Sequence, residues 1–206
     1  MASIITATTT SGLTQSADNS GVLQLASGTG NLVTVPSTTG TMALTSGLGV
    51  TEADQWRVTA NTNIASTSTV ISANWERSDS SGAGYIGTGM TQSSGVFTFP
   101  TTGNWYIRAV GLPSVDGSNR YNSILIQVTV NNSSYVDVAN GTQFVSRVNA
   151  NYTIGYCSCE YIFNVTNTTN CKVRFIQYGE SASGVWNGDT NVNTTGAIFI
   201  RLGAST

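Results

Sequence analysis

From Gln55 onward, apolar and polar residues alternate in short runs separated by Gly, Pro, Asn and Ser. The clearest case is Gly95–Phe99, where Phe97 and Phe99 fall on one side of an extended chain and Val96 and Thr98 on the other. Runs of the same kind occur at 55–58, 70–75, 104–110, 123–130, 134–138, 152–165, 171–178 and 196–202, each rich in β-branched or aromatic residues. No window carries the 3.6-residue apolar period of an amphipathic helix. Many short strands at near-even spacing without helical interludes predict an antiparallel β-sandwich.

The first fifty residues have a different texture. They hold short strand-like pieces at 21–25, 30–35 and 40–44, a single charged residue, Asp18, and no aromatic residue. Every Trp, Tyr and Phe lies beyond them. So little apolar bulk does not build an independent core. The composition therefore divides the chain into an extended, short-stranded N-terminal attachment arm, residues 1–50, and a head domain, residues 51–206. The arm is expected to bury Val22, Leu23, Leu25, Leu32, Val33, Val35 and Leu44 against another chain by adding strands to a partner's sheet edges.

Charge narrows the function classes. Of the 206 residues only 9% are charged, the formal net charge is -2, and histidine is absent. An ordinary soluble domain carries about 25% charged residues. Without clustered Lys and Arg there is no footprint for nucleic acid. Without histidine the Ser-His-Asp triad and most catalytic zinc sites are excluded. No apolar run reaches the length of a membrane span, so no membrane insertion is expected, and the N-terminus lacks the basic start and apolar core of a signal peptide. Seven carboxylates (Glu76, Asp79, Asp116, Asp137, Glu160, Glu180 and Asp189) sit mostly in Ser/Gly/Asn-rich loops and show no pairing of the kind a glycosidase needs. The protein is expected not to be an enzyme and to need no cofactor.

Cys157 and Cys159 are two apart in a strand-like run and so point to one face, where they read as buried, inert thiols. A disulfide from Cys171 to either of them stays open, because spatial neighbourhood decides it. Two aromatic residues in loop-like surroundings, Trp186 and Tyr121, are candidates for stacking on a pyranose face. The competing reading, which the sequence favours, is that they plug the end of the sandwich or a subunit seam.

The run Gly84–Ile107 resembles the signature of the complement globular-head and tumour-necrosis-factor-like jelly rolls, a Gly-x-Phe-x-x-Pro-x-x-Gly-x-Tyr pattern across two consecutive strands. Gly95, Phe97, Pro100 and Gly103 match it, Tyr106 falls one place late, and Trp105 is able to fill the aromatic position. Thr195–Leu202 resembles the closing strand of that family, and the likeness spans residues 52–203. It implies a jelly roll assembled as a homotrimer. It also raises calcium as a ligand, with 116–119 and 187–190 offering oxygen donors, although both are ordinary turn sequences too. Asn31–Ser46 is similar to segments of tailed-phage fibre and other virion appendage proteins. Together the two likenesses imply a bacteriophage structural protein on the virion surface. The expected role is a trimeric capsid decoration (cement) protein, held on the major capsid protein or a tail or neck protein by its arm. The alternative is a short tail or head fibre whose head binds a host surface receptor or glycan.

Overall fold

A computed structural model describes the chain apart from residues 1, 9–11, 19–22, 28–30, 36–48, 116–118 and 147–152. The described residues contain strands and turns but no helix, and therefore no helix able to cross a membrane. They fall into two compact units, Met1–Gly49 and Val50–Thr206.

The N-terminal unit holds four strands, β1 (Ala2–Thr8), β2 (Gly12–Asp18), β3 (Leu23–Ser27) and β4 (Asn31–Val35), in one sheet of order β2-β1-β3-β4. β1 pairs antiparallel with β2 and parallel with β3, and β3 pairs antiparallel with β4. These strands hydrogen-bond to one another, whereas the sequence suggested that each would add to a partner's edge. Strands β1 and β2 are not marked by the sequence pattern, because their Thr-, Ser- and Ala-rich runs hold few large apolar residues. Leu23, Leu25, Leu32, Val33 and Val35 lie on β3 and β4, with Leu23 opposite Val35 and Leu25 opposite Val33. Val22, Leu44 and the 40–44 piece lie outside the described residues.

The head unit is a sandwich. One sheet of five antiparallel strands has the order β16 (Cys157–Val165), β11 (Gly103–Gly111), β19 (Gly196–Gly203), β5 (Ala53–Val58) and β8 (Trp75–Arg77). The other runs β14 (Val136–Phe144), β13 (Tyr121–Thr129), β17 (Lys172–Gly179), β10 (Val96–Thr98) and β9 (Thr91–Ser93), with β7 (Thr69–Val70) also paired to β17. Rings from both sheets meet between them. Phe97 packs 5.2 Å from Phe199 and 5.4 Å from Trp56, and Phe175 lies 6.0 Å from Phe199. The side-chain period of two puts every second residue of β11 into this core, and such aromatic pairs add to plain area burial. A short third sheet of order β15 (Thr153–Ile154), β12 (Pro113–Val115), β18 (Val185–Trp186) and β6 (Thr62–Asn63) lies across one end.

The signature run does the structural work its pattern implies. Phe97 and Trp105 are both buried, and the Trp105 indole donates to the Thr101 carbonyl at 3.1 Å. Trp105 thus holds the inward aromatic position, and Tyr106, one residue later, faces outward by the alternation of the strand. The strand expected over 70–75 is instead split into β7 on one sheet and β8 on the other. Asn74, at φ 62°, makes the turn between them, and the Trp75 indole ties it by donating to the Ile71 carbonyl at 2.6 Å. Cys157, Cys159 and Cys171 are all free and buried, so no disulfide forms with Cys171.

Candidate binding cleft at the end of the sandwich

The segment Gly184–Gly188, chosen in the sequence for its tryptophan, is well placed but for a different reason. Trp186 is completely buried, and its indole donates to Gln177 Oε1 at 2.8 Å. It is unavailable for stacking on a sugar and plugs the end of the jelly roll, which is the reading the sequence favoured. The same Gln177 oxygen accepts from the Ala65 amide at 3.1 Å, and Gln177 Nε2 donates to the Asn63 carbonyl at 3.1 Å. A buried indole and a buried amide therefore pin the strand β6 and the residues after it. Buried polar groups are found in satisfied sets of this kind.

Outside that buried set lies a cleft of about 700 Å³ walled by Asn61, Asn63, Ile64, Ser114, Ala182, Ser183, Gly184, Val185 and Asn187. A neighbouring hollow of about 480 Å³ shares Asn61, Asn63 and Ile64 with it and adds Thr62, Thr69, Ser72, Asn74 and others. Among the described residues no charged side chain lines either space. Asn61 Oδ1 accepts from the Gly188 amide at 3.0 Å, and Asn187 Nδ2 donates to the Leu112 carbonyl at 2.7 Å, which fixes two of the walls. Apart from Asn187, which opens the 187–190 run considered for calcium, these asparagines and serines were not singled out in the sequence. Their only signal is their place beside a tryptophan, and the chain is rich in both residue types.

Tyr121 lies elsewhere, half-buried at the start of β13 and edge-on to Tyr178 at 6.2 Å. Its neighbour Arg120 pairs with Glu180, and the Arg120 side chain and backbone amide hold the Glu180 carboxyl down at about 2. Trp186 and Tyr121 are not brought together.

Asp116 lies outside the described residues, and the other carboxylates that the sequence singled out are each engaged by neighbouring groups. Glu76 and Asp79 both bind the fully buried Arg57, Glu160 lies 3.3 Å from Arg108, and Asp137 accepts from Gln127. Asp189 accepts from the amides of Asn191 and Val192, which lower its pKa and close a turn. Asn119 is committed to Ser181, Ser183 and Glu180. Among the described residues no group of three His, Cys, Asp or Glu side chains could hold a metal ion. The sequence also gave no hint of two buried carboxylates that clasp the Gly87–Met90 loop. Glu52 accepts from the amides of Thr88 and Gly89, while Asp54 accepts from the Met90 amide, the Trp56 indole and Arg77.

No protein-family model matches the chain, and no curated protein matches it. Solved structures do. Eiger TNF from S. frugiperda aligns at 8% identity with a TM-score of 0.56, covering 75% of this chain and 94% of its own. Murine APRIL, in a crystal structure at pH 5.0, aligns at 10% identity with a TM-score of 0.54, covering 73% of this chain and 98% of its own. The likeness is one of fold, and the C-terminal unit of this protein is accordingly a jelly roll of the tumour-necrosis-factor type.

Proposed function

We propose that the protein is a structural component of a tailed-phage particle, a homotrimeric capsid decoration protein held to the capsid, or to a tail or neck protein, by its N-terminal unit. The observation that carries the reading is the division of the chain. A short-stranded unit of about fifty residues, with Asp18 as its one charge, precedes a head that has its own aromatic core. In the N-terminal sheet β2 and β4 are the outer strands, and outer strands offer backbone donors and acceptors to a partner.

The trimer is supported by the outward face of the five-stranded sheet. Ile162, Tyr106 and Ile200 form a cross-strand row there, and Ile162 is 58% exposed. Ile198 stands on the same face, opposite Arg108. A cross-strand row of large apolar side chains has the composition of an interface core, with the Arg108–Glu160 pair beside it on the same face. Closed three-fold symmetry would cover the row in every copy without leaving a face to polymerise. Densitometry of purified particles tests the reading: hundreds of copies per virion are expected, and a few dozen or fewer would instead assign the chain to a fibre.

A further inference from the structure

The end cleft lies at the far end of the head from the point where the chain enters it. β5 starts at Ala53 beside Ile200, late in β19, and ends at Val58, whose amide donates to the Thr195 carbonyl just ahead of β19. Asn61 and Asn63 follow directly, so the cleft caps the end opposite residue 50.

The lining restricts what could bind. With no charged side chain among the described lining residues, a phosphate, carboxylate or ammonium ligand would lose water and meet no opposite charge there. The walls are too polar for a purely apolar guest. They offer side-chain amides from Asn61, Asn63 and Asn187 and hydroxyls from Ser114 and Ser183, groups that donate and accept at once. The Asn63 amide and the Ser114 hydroxyl make no hydrogen bond among the described residues, so both are free to meet a ligand. The small apolar part of the wall, Ile64 and Val185, suits the carbon edge of a ring but supplies no deep pocket for a peptide's apolar anchor. Behind Ile64 lies Asn122, fully buried, with neither its Oδ1 nor its Nδ2 hydrogen-bonded. Its Oδ1 and Ile64 Cγ2 both press on Gly179, where an added Cβ would lie 2.7 Å and 2.8 Å from them. A buried amide left without partners calls for an ordered water. The volumes fall in the range of small-ligand sites, about 300–1,000 Å³.

From this we infer that the head carries a carbohydrate-binding site for a neutral oligosaccharide, lying in the end cleft and extending over the Asn61–Ile64 ridge into the second hollow. Asn63 and Ser114 supply the direct hydrogen bonds, with Trp186 buried beneath the wall that Val185 and Asn187 present. The site is independent of how the particle holds the protein, so a fibre or a decoration protein could carry it equally.

The test applies the purified full chain to a printed array of neutral and acidic oligosaccharides and measures retained glycans by calorimetry. Retention of neutral glycans is expected. The double variant Asn63→Ala/Ser114→Ala should weaken binding at least about tenfold, since each lost bond to a neutral group contributes of the order of 1 kcal/mol. Ala182→Trp, which fills the cleft from an irregular segment, should abolish binding, and both variants should keep the parent's thermal midpoint and mass. Should Ala182→Trp fail to fold, the double variant decides alone, because both of its side chains lack partners. Retention of acidic glycans alone, of a random peptide library alone, or of no ligand would overturn the inference, as would neutral-glycan binding that the double variant leaves unchanged.

Discussion

Asp54 shows how much one side chain can carry. It is buried and accepts from the Arg77 guanidinium, the Trp56 indole and the Met90 amide. Arg77 in turn lies 5.2 Å from the Trp56 ring and 4.4 Å from the Tyr85 ring. Asp54→Ala would take the acceptor from these three and from the Gln55 amide as well. Breaking a buried pair from one side costs about 3–5 kcal/mol, so a loss of that order is expected in urea unfolding. A loss below about 1 kcal/mol would mean that water replaces the carboxylate. The cysteines give a pH prediction. Burial pushes the Cys157 thiol up to about 12 and Cys159 to about 11, from an ordinary 9.0. The neutral thiols are favoured in the fold, so their contribution is complete below pH 9 and is lost as pH rises towards 11–12. Stability should therefore fall over that interval, and Cys157→Ala/Cys159→Ala should flatten the fall. All three thiols should react with Ellman's reagent only after unfolding.

At the scale of elements, the glycines of the signature run act as geometric requirements. Gly95 sits at φ 79° between β9 and β10, and a Cβ there would lie 2.3 Å from the Ile71 carbonyl oxygen. Backbone cannot yield as a flexible side chain can. Gly95→Ala should thus cost at least about 1–3 kcal/mol from the left-handed conformation alone, with the clash added. Gly84→Ala, with open space around it, should cost far less, and equal thermal midpoints for the two variants would refute the argument. Pattern and periodicity revealed the long strands of the sandwich well, because each has one face in the core and one outside. They missed the division at Ile71–Asn74, since a run of apolar and small residues reads alike whether it stays in one sheet or crosses to the other. They also missed β1 and β2, whose Thr-, Ser- and Ala-rich runs hold few large apolar residues to mark a strand.

The whole molecule is expected to be a trimer in solution, and light scattering at micromolar concentration should return three times the chain mass of 21.5 kDa. Tyr106→Glu would place a charge in the middle of the apolar row and should release monomers that keep their fold, because the side chain points away from the core. A parent protein that is already monomeric would defeat this. For attachment, a segment with Asp18 as its one charge has almost no ion pairs to offer. Washing particles in 1 M NaCl, where the Debye length is about 3 Å against about 10 Å at 0.1 M, should leave the protein bound. Mild urea should release it by weakening backbone and apolar contacts. Release by salt and not by urea would assign attachment to the charged head.

Composition and periodicity alone determined that the protein is all-β, that its aromatic core begins after residue 50, and that histidine chemistry is absent, because these follow from which residues exist and how they alternate. The Gly95-Phe97-Pro100-Gly103 spacing determined a turn, a strand end and an inward ring, local demands that a short stretch of sequence can state, while the jelly roll was implied by the resemblance of that run to a known family. Tertiary structure decided the rest. Trp186 and Asn63 are more than a hundred residues apart, and only the meeting of β6, β12 and β18 buries one beneath the wall of a cleft and makes the other part of that wall. Whether a ring is a ligand platform or a buried plug depends on what the remainder of the chain lays over it, and no window around Gly184–Gly188 contains that information.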